Sequence, residues 1–67
     1  MKEKFTQEER RILNTLYTAH KPLSTFAVAE HADMAWQTAK KYLTKLNRNG
    51  YVSRGKYGKS VYWWLRV

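Results

Sequence analysis

The sequence predicts an α+β domain, mainly α, in which three helices precede a two-stranded β-hairpin. Three observations carry this prediction. Apolar residues recur at helical spacing between Thr6 and Arg48, and the pattern is cut by His20-Lys21-Pro22, Ala32-Asp33-Met34 and Asn49-Gly50. Beyond Gly50 the apolar period shortens to 2, and the residues turn to Val, Tyr and Trp, which favour strands. A chain of 67 residues has material for one core, so a single domain over residues 1–67 is expected. No linker, repeat or low-complexity segment divides it.

The first helix opens at Thr6, where Glu9 three residues on completes a capping box. Ile12, Leu13, Leu16 and Tyr17 form its apolar stripe. Proline at 22 pushes Lys21 out of helical geometry and stops the helix. Ser24 caps a second helix from Thr25 to about Ala32, burying Val28, Ala29 and Ala32 with Phe26 at the flank. Asp33 suits the turn that follows and can cap the next helix. The third helix runs from Ala35 or Trp36 to Arg48. With Leu43 inward, Ala39 and Leu46 join it, and Gln37, Thr38, Lys41, Thr44, Lys45 and Arg48 face away. Gly50 supplies the left-handed residue past its end. Tyr51–Arg54 and Ser60–Arg66 read as strands, with Gly55–Lys59 as the loop and both glycines available for positive φ. Val61, Trp63 and Leu65 share the face expected inside; Tyr62, Trp64 and Arg66 share the other.

Composition excludes several classes. With 43% apolar and 15% aromatic residues the chain is too apolar for a disordered tail. It has no cysteine, hence no disulfide or thiol chemistry. Met1 to Glu9 lacks the apolar run of a signal peptide. Val61 to Leu65 is the longest apolar run, far short of the ~20 residues that cross a bilayer. A cytoplasmic, nucleoid-associated protein with no membrane partner is expected.

Charge is more informative. Thirteen Lys and Arg against five Asp and Glu leave a net charge of +8. Up to Asp33 the five bases (Lys2, Lys4, Arg10, Arg11, Lys21) balance the five acids (Glu3, Glu8, Glu9, Glu30, Asp33). From Met34 onward eight bases meet no acid. Such a half attracts a polyanion. On the third helix Gln37 can pair with adenine, and Thr38 or Thr44 can touch a base or a thymine methyl. Lys40, Lys41, Lys45 and Arg48 suit phosphates, which position a protein without reading sequence.

Residues 23–52, LSTFAVAEHADMAWQTAKKYLTKLNRNGYV, resemble the winged helix-turn-helix of small prokaryotic, archaeal or viral transcription regulators. The likeness lies in a Val-Ala helix, a turn, and a second helix leading through Tyr42-Leu43 and Leu46 into Gly50-Tyr51-Val52. Asp33 stands where a turn glycine is common, and Ala35 where a capping Ser or Thr is common. The resemblance implies that the helix at about 35–48 is a recognition helix for the major groove of double-stranded DNA. It also implies that residues 54–60 form a wing gripping adjacent backbone or minor groove.

Trp36 has two readings: its helical angle points it toward the core, whereas the resemblance puts a DNA-contacting residue there. Arg54, Lys56, Tyr57 and Lys59 are the wing's candidate contacts, against the alternative of lysines that keep an edge hairpin soluble. Tyr62 and Trp64, or the first helix, are candidate homodimer surfaces. Rival functions are a winged-helix protein-interaction module and an RNA or single-strand binder stacking bases on exposed rings. Gly55-Lys56-Tyr57-Gly58 matches the GxxG of KH domains, but joins strands rather than helices. His31 and Asp33 fall short of a metal ligand set, and Ser24, His31 and Asp33 have no nucleophile elbow around them. A non-enzymatic domain with no cofactor is expected, acting by occupying a site.

Overall fold

A computed structural model describes residues 5–66. Met1 to Lys4, within the stretch tested above for a leader, and Val67 lie outside the described residues. The order of elements is α1 (Gln7–Ala19), β1 (Leu23–Ser24), α2 (Thr25–His31), α3 (Trp36–Arg48), β2 (Val52–Tyr57) and β3 (Ser60–Leu65).

The capping box at α1 is formed as expected. The Glu9 N–H donates to the Thr6 hydroxyl at 3.1 Å, and the Thr6 N–H donates to Glu9 Oε1 at 2.8 Å. The helix closes on His20 in left-handed geometry at φ 57°, two residues before Pro22. Tyr17, expected in the apolar stripe, is exposed; Ile12 and Leu16 carry the burial. Ser24 caps α2 by accepting from the Ala27 N–H at 3.1 Å. Asp33 takes the turn at φ 58° but gives no cap: Ala35 occupies the N-cap of α3 without a side-chain hydrogen bond. Gly50, at φ 85°, lets the chain leave α3. The Asn47 side-chain amide donates to the Val52 carbonyl at 2.9 Å, tying the end of α3 to β2.

The hairpin is longer than expected. β2 continues through Gly55 to Tyr57, so only Gly58 and Lys59 link the strands. Gly58 has φ 64°, a positive value at the first linking residue, where type II′ hairpins require glycine. Gly55 is an ordinary strand residue opposite Tyr62, not a turn. Its lack of a side chain serves packing instead, since a Cβ there would lie 3.0 Å from Trp64 Cη2. A third strand joins the two expected: Leu23 and Ser24 pair antiparallel with Trp63 and Tyr62, giving the order β1-β3-β2.

One core results, from Ile12 and Leu16 of α1, Val28 and Ala32 of α2, Leu43 and Leu46 of α3, and Leu23, Val52 and Trp63 of the sheet. Of the three inward residues expected on β3, Trp63 alone is fully buried; Val61 and Leu65 pack at the margin. Burial of an indole requires a partner for its N–H. Trp63 Nε1 donates to the buried Thr25 hydroxyl at 2.8 Å, across 38 residues of sequence.

Thr25→Val keeps the shape but leaves that N–H unpaired. The expected cost is about 1–3 kcal/mol, seen as a lower urea midpoint with an unchanged m-value. Thr25→Ser retains the acceptor and should recover most of the loss. An unchanged midpoint in Thr25→Val would contradict a stabilising role for the bond.

Candidate nucleic-acid interface

Burial of Ala39, Leu43 and Leu46 leaves the opposite side of α3 to solvent. Trp36, Gln37, Lys40, Lys41, Thr44, Lys45 and Arg48 line one shallow groove along it, while half-buried Thr38 falls outside. Trp36 is exposed to 46%, which removes its core reading. Helical angle gives a direction but not a depth, and the first residue of α3 projects past the end of the core. The Lys40 ammonium lies over the Trp36 ring, 5.1 Å from its centroid. Such a cation–π contact contributes about 0.5–1 kcal/mol at an exposed site.

The face is not free of acid. Glu9 reaches across from α1, and its Oε2 lies 3.5 Å from Lys45 Nζ. The Glu9 side chain is only 5% exposed and the lysine 56%. A half-by-half charge tally misses this pair because it forms between helices far apart in sequence. Lys45 is thus partly neutralised, whereas Lys40, Lys41 and Arg48 have no acid within ion-pair distance among the described residues.

The wing is a two-faced ribbon, since strand side chains alternate. Arg54 lies on strand β2 as expected, and Lys56 lies on it too rather than in a loop; both face the same way as Val52 and pair with Trp63 and Val61. The Arg54 guanidinium is 5.8 Å from the Trp63 ring centroid, so this arginine also packs against the core. Lys59 is in the turn. Ser53, Gly55 and Tyr57 take the other face with Tyr62 and Trp64. Tyr57 is therefore separated from Arg54 and Lys56. Its ring meets Tyr62 edge-on at 5.9 Å. Tyr62 and Trp64, the candidate dimer residues, are half-buried; Tyr17 and Tyr57 are the exposed aromatics on that side.

Phe26, assigned above to a flank, is 66% exposed and shares a second groove with Trp36, Lys40, Arg54 and Lys59. Its large apolar ring on the polar side of a short helix is the sequence signal that marks it. No group of three or more His, Asp or Glu residues able to hold a metal ion occurs among the described residues.

Residues 8–67 match the family model described as FaeA-like protein. The chain belongs to the FaeA-like family. Its fold is similar to that of transcriptional regulator PA4135 (TM-score 0.84, 25% identity, 92% of this chain and 47% of that one). It is also similar to the homodimeric winged helix-turn-helix DNA-binding domain of Mb0332 from Mycobacterium bovis (TM-score 0.76, 26% identity, 87% and 52%). A third likeness is the PcaV regulator of Streptomyces coelicolor (TM-score 0.86, 22% identity, 96% and 47%). This FaeA-like chain spans about half the length of these proteins. No curated protein sequence matches it. The fold is the winged helix-turn-helix, with α2 and α3 as the helix pair and β2–β3 as the wing.

The Glu9–Lys45 pair yields a test. Glu9→Gln preserves a capping box, because Gln serves there as well as Glu, but releases Lys45. Duplex DNA should bind the variant more tightly, with log affinity falling more steeply against log salt by up to ~0.9, the slope of one phosphate contact. Lys45→Ala should weaken binding less than Lys41→Ala. Equal losses in the two lysine variants, with no gain in Glu9→Gln, would show that the ion pair does not restrain Lys45.

Proposed function

We propose that this FaeA-like domain binds double-stranded DNA sequence-specifically as a small transcription regulator, with α3 in the major groove and residues 54–60 on adjacent backbone or minor groove. The supporting observation is the outward groove of α3, where exposed Gln37 and half-buried Thr44 lie among Lys40, Lys41 and Arg48. Cations at the margins suit phosphates and short hydrogen-bonding side chains between them suit base edges. The front of the wing adds Arg54, Lys56 and Lys59. The domain acts by occupying its site in a cytoplasmic, nucleoid-associated setting, rather than by chemistry.

A second copy is the protein partner we assign to it. Leu16, Tyr17, Pro22, Tyr57, Trp64 and Leu65 line an apolar groove behind the wing, turned away from Arg54 and Lys56. Two copies joined there leave both α3 faces open, and the similar Mb0332 domain is homodimeric. Sedimentation at high micromolar concentration should show a dimer for the parent and a monomer for Tyr17→Glu/Tyr57→Glu. A parent that stays monomeric both free and on DNA would end the dimer assignment.

The wing provides the test of DNA binding. Lys56→Ala/Lys59→Ala alters two exposed side chains, so stability should move by only ~0.5 kcal/mol. Affinity for duplex should fall, and the salt slope should drop by ~0.9 for each phosphate contact removed. Isothermal titration at several salt concentrations, with circular dichroism for folding, reads both. An unchanged slope removes the wing from the interface. A parent slope near zero removes the DNA-binding reading itself.

A further inference from the structure

The groove between α2, α3 and the wing has a chemistry that phosphate binding alone leaves unexplained. Two large rings stand open at its mouth, Phe26 at 66% and Trp36 at 46% exposure. Lys40, Arg54 and Lys59 line the same groove, and no acid does. An exposed aromatic pair marks a contact surface, and three cations around it select a polyanion. The occupant must therefore offer an apolar group within a field of phosphates.

On the major-groove edges of the four base pairs, donors and acceptors account for everything except one apolar group, the 5-methyl of thymine. Trp36 is the first residue of α3, and the N-terminal residues of a recognition helix are those that reach base edges. Stacking on an unpaired base is the other use of an open ring, but it needs a free ring face. Lys40 Nζ lies over one face of Trp36, at 5.1 Å from the centroid. The ring edge remains available to a methyl group, and Phe26 lines the same groove. We infer that Trp36, supported by Phe26, is a specificity-determining contact that selects thymine methyls in the target duplex. This rests on the DNA-binding reading above and deepens it.

The test removes the methyl from the DNA rather than the ring from the protein. A duplex enriched by the parent protein from a randomised pool is resynthesised with deoxyuridine replacing thymidine, one position at a time. At one or two positions the parent should lose about fourfold in affinity, the effect of one buried methyl-sized group. Trp36→Ala should bind thymidine and deoxyuridine duplexes equally there, with the parent's salt slope. Phe26→Ser should shrink the difference. The deoxyuridine series on the parent needs no variant, so a misfolded substitution leaves the inference testable. Equal binding of thymidine and deoxyuridine duplexes, with salt-dependent duplex binding intact, would overturn the inference alone. Tighter binding of single strands than of duplex would overturn it in favour of base stacking. Absence of duplex binding at any salt would overturn the DNA-binding reading and this inference with it.

Discussion

Trp63 lies in the middle strand of the sheet, opposite Leu23 on one side and Arg54 on the other, with its indole N–H held by Thr25 of α2. Its ring is 2% exposed and is the largest of the fully buried side chains. In a domain of 67 residues, which buries a smaller share of its unfolded surface than larger domains do, one indole joins the hairpin to the Leu23–Thr25 segment, 38 residues away in sequence. β1 has only two residues, and its pairing with Tyr62 and Trp63 is what holds the start of α2 to the sheet. Arg54 packs near the ring of Trp63 and lines one groove with Lys40 and Trp36. The buried Trp63 thus underlies the groove that Arg54, Lys40 and Trp36 line.

The period-2 alternation of the wing then divides the surface by chemistry. Arg54 and Lys56 share a face with Val52, whereas Tyr57, Tyr62 and Trp64 share the opposite one. Gly55 makes the second face possible, because the space a Cβ would need is taken by the Trp64 ring at 3.0 Å and the Tyr57 ring at 3.2 Å. Substitution there would disturb the aromatic side while leaving the cationic side in place. The proposed DNA contact and the proposed self-association would therefore draw on separate faces of one ribbon.

What could be read from sequence was local. The capping box at Thr6 and Glu9, the buried spacing Ala39, Leu43 and Leu46, and the glycine at 50 each depend on neighbours within a turn or two. What escaped depends on distant partners. Leu23-Ser24 becomes a strand because Tyr62 and Trp63 offer it a ladder, and no pattern within two residues announces that. Glu9 meets Lys45 because α1 crosses α3, which a charge count by halves conceals. The hairpin was underestimated because Gly55 looks like a turn residue, while its role is to admit Trp64. Trp36 and Phe26 show the same limit in reverse: helical angle describes direction around an axis, not whether the core extends that far along it.

The central claim is that the front of the wing, the exposed side of α3 and the start of α2 form one DNA-facing surface. Backbone amide shifts of the labelled protein, followed by NMR during titration with duplex DNA at moderate salt, test it most directly. Perturbations are expected at Phe26, from Trp36 to Arg48 on the exposed side, and from Arg54 to Lys59, with the amides of Tyr17 and Lys21 unmoved. Perturbations confined to the groove of Tyr17, His20, Lys21 and Trp64, with α3 silent, would contradict it.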